Sequence, residues 1–345
     1  MDFPFVSIII PCRNEKKFIA ECLDSVIAQD YPQERLEILV VDGRSEDGTL
    51  GVVKEYSTKY LFIRALDNPQ RIVSSAMNTG IREARGEVIV RMDAHSVYER
   101  NYVSNCVRHL SESGVDNVGG LFVTLPADDT SISNAIAYAL SHPFGVGNSY
   151  FRIGSSEPRL VDTVPFGCYK REVFERIGFF DEDLIRNQDD EFNHRLIKNG
   201  GKVLLVPEIV SYYHARDSLA KLFRMYYQYG YFKPLAVRKL GSVLTWRQLM
   251  PSLLIVGVIA SFVLSFIFKP FKWPLFLVLS LYLAANLGFS FYIAAEKGLK
   301  YILTLPFAFL TLHAGYGIGY LKGMWDFFIL KKHTRKKVRD MPLTR

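Results

Sequence analysis

The hydrophobic pattern switches between two periods over the first two hundred residues. Val6-Ser7-Ile8-Ile9-Ile10 is a short β-branched run stopped at Pro11, which predicts a buried strand. Phe18, Ile19, Cys22, Leu23, Val26 and Ile27 then recur at helical spacing and mark one buried face. The switch repeats, with strands expected at 38–41, 61–65 and 87–91 and helices at 49–60 and 72–84. Such alternation predicts an α/β fold with a mainly parallel sheet. Further on, the pattern predicts a helix at 101–110, a strand at 117–125, a short helix at 170–177, a polar run from Asn187 leading into a helix stopped by Asn199-Gly200-Gly201, and a closing strand at 202–206. Residues 126–165 are polar, rich in Gly and Ser and weakly periodic, so they read as a long loop, either part of an acceptor pocket or an insertion.

The last third belongs to a different solvent. Residues 251–268, 274–295 and 301–321 are uncharged runs of 18, 22 and 21 residues, with His313 the single ionisable group among them. About 20 apolar residues cross a bilayer, so each is a candidate membrane helix, with a buried core helix as the other reading.

Charge supports the membrane reading. The net charge is +7, but residues 216–247 hold seven basic residues and one acid, and residues 331–345 hold another seven and one. The remainder is mildly acidic, and the basicity flanks the apolar region, as expected beside an anionic membrane surface. A nucleic-acid partner would want that charge on the folded domain, so none is expected. Cys12, Cys22, Cys106 and Cys168 show no metal or redox spacing and are expected to be reduced and packed. The run at 6–10 is too short for a secretory signal, which leaves the first domain expected in the cytosol.

Candidate chemistry sits at strand ends. Asp93 and His95 follow the strand at 87–91, and on a continuing strand they would face the same side and could share one cation. A solvated turn is the alternative. Asp42 ends the strand at 38–41 in Asp42-Gly43-Arg44-Ser45-Glu46-Asp47-Gly48, either as a turn-forming residue or as a ligand at the same sheet edge. Asp189, Asp190 and Glu191 lie in a first helical turn, where acids complement the dipole or hold a carboxylate ready to take a proton. Adjacent residues there point about 100° apart, so only one of Asp189 and Asp190 can face a given hydroxyl. His214 reads as a third metal or phosphate ligand, or as a packed histidine.

Taken together, Val6-Ser7-Ile8-Ile9-Ile10-Pro11-Cys12-Arg13-Asn14-Glu15, Val41-Asp42-Gly43-Arg44-Ser45-Glu46-Asp47-Gly48-Thr49, Ala76-Met77-Asn78-Thr79-Gly80, Ala84-Arg85-Gly86-Glu87, Asp93-Ala94-His95 and Gln188-Asp189 to Arg195-Leu196 resemble the successive blocks of family 2 glycosyltransferases. The Asp-Ala-His variant is most similar to the succinoglycan-type glucosyltransferase subgroup. The resemblance implies a GT-A fold, Rossmann-like with a mixed, mainly parallel sheet and helices on both faces, a nucleotide-diphosphate sugar donor, a lipid-linked or glycan acceptor and a divalent cation, Mn²⁺ or Mg²⁺. It implies that Pro11, Glu15, Asp42, Arg71 and Asp93 bind the nucleotide, that Asp93 and His95 take the place of the family's metal-binding DxD, and that Asp189, six residues before Arg195, is the catalytic base. His95 stands for the usual second Asp, and Gln188 for the usual Glu. A processive polysaccharide synthase is a second reading, but Gln228 is followed by Tyr229-Gly230-Tyr231-Phe232 rather than by that class's QxxRW. A membrane scaffold without turnover is a third. The expected organisation is a GT-A domain over 1–215, a basic juxtamembrane segment over 216–248, a membrane region of two to three segments over 249–330 and a basic cytoplasmic tail over 331–345. The expected location is the cell membrane, multi-pass, with the catalytic domain cytoplasmic. Two strongly basic flanks on one side demand an even number of crossings, which makes 301–321, with Pro306, His313 and its glycines, the run expected to lie at the interface or re-enter.

Overall fold

β1 (Val6–Cys12), β2 (Leu36–Asp42), β3 (Ile63–Asp67) and β4 (Val88–Arg91) are the parallel strands of the computed structural model, which describes residues 3–241 and 248–332. Every residue of β1 and β2 is buried, as near-continuous apolar runs require when both faces of a parallel sheet are covered. Helices α1 (Ile19–Ile27), α2 (Thr49–Lys59) and α3 (Val73–Glu83) make the connections. β3 begins two residues later than the pattern suggests because Leu61 is in solvent and the ladder to β2 opens at the pair Ile38 and Ile63.

The sheet continues on the far side of β4 with antiparallel strands. β5 (Ser96–Tyr98), β6 (Asn117–Leu125), β7 (Arg159–Leu160), β8 (Cys168–Lys170) and β9 (Val203–His214) complete the order β3-β2-β1-β4-β8-β6-β9-β5, with β7 beside β9. Helix α4 (Tyr102–Glu112) precedes β6. The strand expected at 202–206 therefore runs to His214, past Pro207, because its later residues pair with β5.

The parallel register sets up the site. Cys12 pairs with Asp42, Asp42 with Asp67, and Ile9 with Arg91, so the polar residues at the carboxyl ends of four strands line one edge. Beneath that edge an aromatic core anchors α8 (Glu172–Ile177) and α9 (Gln188–Lys198). Phe180 and Phe192 stack at 4.4 Å, and Tyr169 meets Phe192 edge-on at 5.4 Å. Fully buried Phe192 and Leu196 each contribute about 1.5–3 kcal/mol and fix the pose of α9.

The described chain divides into two compact units. The first comprises the residues through Val123 with Tyr150–Tyr213, and the second Thr124–Ser149 with the residues from His214 onward. The expected loop at 126–165 instead carries three helices, α5 (Ser131–Leu140), α6 (Pro143–Val146) and α7 (Tyr150–Ile153). Its weak periodicity hid a helix built on alanines, which the Thr130 hydroxyl starts by accepting a bond from Ser133 N at 3.2 Å.

The second unit also contains α10 (Leu219–Leu240), α11 (Met250–Ile267), α12 (Lys272–Lys297) and α13 (Leu305–Met324). α11 and the stretch Lys269–Lys297 are long and apolar enough to cross a membrane. α11 spans about 27 Å, close to a bilayer's hydrocarbon core. Both present large apolar side chains outward, among them Phe262, Phe266, Phe276 and Leu281. α13 is different. A Cβ added at its Gly319 would lie 2.1 Å from the Tyr227 carbonyl of α10, and one at Gly230 of α10 would lie 2.1 Å from the Tyr316 carbonyl, so the two backbones touch through glycine. Most of the basic tail expected over 331–345, and residues 242–247 of the basic segment, lie outside the described residues.

Candidate active site

Two loops leave the carboxyl ends of β1 and β2 and are stitched together. Asn14 N donates to Ser45 Oγ (2.7 Å), Glu46 N to Asn14 Oδ1 (2.7 Å), Glu15 N to Thr49 Oγ1 (2.7 Å) and Lys16 N to Asp47 Oδ2 (3.1 Å). Asn14 and Arg44 hold left-handed backbones at φ 52° and 56°, which the short polar side chain of Asn14 tolerates. Asp42 is buried at the strand end, and its carboxylate accepts from Ser45 N (3.0 Å) and Ser45 Oγ (2.5 Å). Asp42 thus forms the turn that the sequence allowed. Arg71, also left-handed, reaches Glu46 at 4.0 Å, beside the same loop.

The neighbouring strand end carries the second group of residues. β4 stops at Arg91, so Asp93 and His95 do not sit on a continuing strand. Residues 93–96 turn instead, with Ser96 N donating to the Asp93 carbonyl (3.2 Å), and Tyr98 Oη accepts from Asp93 N (2.6 Å). The turn wins because the buried Tyr98 ring satisfies a backbone donor that a strand would leave at the sheet's end. His95 Nδ1 faces Glu15 Oε1 at 3.4 Å, which joins this turn to the first loop.

α9 supplies the third. Asn187 begins it with φ 60°, and three acids follow in the first turn. Glu191 is structural: Arg195 Nε and Nη2 bind its carboxylate at 2.8 and 3.1 Å, while Arg195 also donates to the carbonyls of Ile177 and Phe179. Asp189 points to the sheet edge, where Arg91 Nη1 donates to its Oδ1. The same guanidinium binds Asp93, Nε to Oδ1 at 3.0 Å and Nη2 to Oδ1 at 2.9 Å and Oδ2 at 3.3 Å. Arg91 is nearly inaccessible, 6% exposed at its side chain, while Asp93 and Asp189 keep 21% and 29% open to solvent. Burial pushes the Asp189 carboxyl up from its ordinary value. The Arg91 guanidinium opposes that rise, and Asp93 and Asp190 reinforce it.

The structure therefore brings Asp93, Asp189, His95 and Glu15 to one edge, with Asp42 at the adjacent strand end. His214 belongs to the second unit, and its Nδ1 lies 3.2 Å from the Pro126 carbonyl. Two further residues contribute. The pairing of Arg91 with Asp189 is a tertiary contact, so no local signal in the sequence gives it. Asn78 exchanges bonds with Phe180 N and O (both 2.9 Å) and donates to Glu182 (2.9 Å), which pins the segment leading into α9. All four cysteines are free and buried, and burial pushes the Cys12 and Cys22 thiols far above their ordinary range, so neither is a nucleophile.

Among the described residues no three His, Cys, Asp or Glu side chains form a ready-made cation site. Asp93 and His95 nevertheless fit a hard divalent ion that completes its shell with phosphate oxygens and water. A carboxylate behind one imidazole nitrogen, as Glu15 stands behind His95 Nδ1, is the arrangement that orients the other nitrogen toward a metal.

Comparison with known proteins places the chain in a family. The profile of glycosyl transferase family 2 matches residues 7–178. The chain is 35% identical over 243 residues to the dolichyl N-acetyl-alpha-D-glucosaminyl phosphate 3-beta-D-2,3-diacetamido-2,3-dideoxy-beta-D-glucuronosyltransferase of Methanococcus voltae, covering 68% of this chain and 74% of that protein. It is 27% identical over 322 residues to succinoglycan biosynthesis protein ExoA of Rhizobium meliloti (strain 1021), covering 93% and 95%. In fold it is similar to the mannosyltransferase PcManGT from Pyrobaculum calidifontis, solved in complex with GDP-Man and Mn²⁺, at a TM-score of 0.61 and 22% identity over 94% of this chain and 88% of that one.

Proposed function

The chain belongs to the family 2 glycosyltransferases, and from that membership we propose that it is a membrane-bound, inverting enzyme that moves a sugar from a nucleotide-diphosphate donor to a lipid-linked or polysaccharide acceptor. The observation that carries this reading is the meeting of Asp93 and Asp189 on one buried guanidinium at the carboxyl edge of the sheet. That edge is where ligands bind in open α/β sheets.

In this mechanism the acceptor hydroxyl oxygen attacks the anomeric carbon and Asp189 takes its proton. The bond from that carbon to the terminal phosphate oxygen breaks, and the nucleoside diphosphate leaves. A single in-line displacement with one base inverts the anomeric centre, unlike the paired carboxylates of a retaining hydrolase. Asp42, Pro11, Glu15 and Arg71 would hold the nucleotide, and Asp93 and His95 a divalent cation, Mn²⁺ or Mg²⁺. Bound there, the cation supplies charge stabilisation for the departing diphosphate. The nucleotide-sugar and Mn²⁺ complex of the mannosyltransferase and the lipid-linked acceptor named for the archaeal relative support these assignments.

For the second unit we infer two crossings, by α11 and α12, with both flanks cytoplasmic. α13 is not counted, because its glycine face is taken up by α10. Cysteine labelling that finds residues after Lys331 outside the cell would replace this topology with three crossings.

The test is to incubate the purified full chain with a panel of nucleotide sugars, Mn²⁺ and a lipid extract, and to follow nucleoside diphosphate release and sugar incorporation. One donor should turn over. No release from any donor would leave the scaffold reading in its place.

A further inference from the structure

We propose that Arg91 is a positioning residue that competes with a divalent cation for Asp93 and so links the donor side of the site to the base. The proposal rests on the reading of Asp93 as a metal ligand and Asp189 as the base.

The geometry is that of a shared counter-ion. A guanidinium has five donors in a rigid fork, and Arg91 spends Nε and Nη2 on Asp93 and Nη1 on Asp189. Its main chain is fixed in the sheet. Its main-chain N donates to the Gly167 carbonyl at 3.0 Å, and Ile9 is its register partner. One positive charge thus serves two carboxylates, which leaves the trio with one negative charge in excess at an edge still open to solvent.

A cation entering that edge meets Asp93 with its Oδ1 already holding two donors and its Oδ2 a third, longer contact. Binding must weaken some of those contacts. Arg91, anchored by its backbone, then keeps Asp189 as its remaining carboxylate partner and holds it in place for the acceptor. Filling the donor side therefore strengthens the hold on the base. Linkage makes the effect reciprocal: whatever frees Asp93 from Arg91 must tighten cation binding.

Loss of this buried ion pair should therefore give tighter metal binding with slower transfer. Full-length protein in detergent is titrated with Mn²⁺, with and without GDP and UDP, and free Mn²⁺ is read by electron paramagnetic resonance. Arg91→Met should bind Mn²⁺ on the order of five- to tenfold more tightly than the unaltered protein. Arg91→Lys, which keeps the charge but loses the fork, should also bind more tightly, by a smaller factor. Both should transfer sugar more slowly in a single turnover. Asp93→Asn should lose Mn²⁺ binding. If Arg91→Met does not fold, Arg91→Lys decides alone. Arginine variants that bind Mn²⁺ no more tightly than the unaltered protein, while Asp93→Asn loses it, overturn the proposal and leave the metal site standing. Unchanged binding in Asp93→Asn, or no Mn²⁺ binding at all with either nucleotide, overturns the metal reading and the proposal with it.

Discussion

The two ends of the parallel strands each carry a cluster of buried charge, and the clusters are built differently. At the amino end Glu37 is wholly inaccessible and fully engaged: Ser7 Oγ donates to it at 2.6 Å, Arg85 N at 2.6 Å and Arg85 Nε at 3.1 Å, with Arg64 at 3.7 Å. There the carboxylate is enclosed and its cations lie outward, 66% and 38% exposed. At the carboxyl end the order is reversed. The cation Arg91 is enclosed, and its two carboxylates keep open edges. A buried carboxylate surrounded by donors has nothing left to offer a ligand, and it serves the fold. Two carboxylates sharing one guanidinium at a solvent-facing edge retain lone pairs for a cation and for a proton, which is what transfer chemistry requires.

That contrast can be broken at either end. The largest effect should come from removing the cation. Exhaustive chelation should abolish transfer, since charge stabilisation of a leaving diphosphate is worth several kcal/mol, roughly a thousandfold or more in rate. Mn²⁺ should restore it at least as well as Mg²⁺, because an imidazole ligand at His95 suits Mn²⁺ better. Transfer that survives chelation would remove the metal role of Asp93 and His95 together.

Next in size is the closed end. Glu37→Gln should cost about 1–3 kcal/mol of stability by leaving buried donors poorly matched, while the turnover of the folded fraction stays unchanged. Thermal unfolding and steady-state kinetics on one preparation measure both, and a variant that loses turnover at unchanged stability would dissolve the distinction between the ends.

The smallest effect is a shift in pH dependence. Asp189 must be ionised to act, and burial raises its carboxyl above the ordinary value, so kcat/KM should fall on the acid side through a pKa higher than that of a free carboxylate. Arg91 favours the ionised form, so Arg91→Gln should move that acid limb to still higher pH. A limb that stays put or moves down would separate Arg91 from the base.

Much of this edge is legible in the sequence. β1 and β2 are fully buried β-branched strands, and such runs announce themselves locally, together with the polar residues at their ends. What stayed hidden is long-range or masked by a local signal. The Arg91–Asp189 pair joins strand β4 to helix α9, and nothing near either residue encodes it. The local pattern allows Asp93 and His95 either a continuing strand or a turn, and it carries no trace of the Tyr98 hydroxyl that selects the turn. The local pattern predicts β9 only over 202–206, yet pairing of Ser211–Tyr213 with β5 extends it past Pro207. In the membrane region, Gly315, Gly317 and Gly319 did mark α13 as unlike the other two runs, but only the helix pair shows why glycine is needed there.

The account stands or falls on which carboxylate of the adjacent pair takes the acceptor's proton. Asp189→Asn and Asp190→Asn should be compared in single-turnover transfer, with nucleotide titration alongside to confirm that the donor side is intact. Loss of a general base typically costs on the order of 10² to 10⁴ in rate. Asp189→Asn should lose that much while still binding nucleotide, and Asp190→Asn should retain transfer with at most weaker acceptor binding or stability. Abolished transfer in Asp190→Asn with transfer preserved in Asp189→Asn would contradict the assignment and move the base to the neighbouring residue.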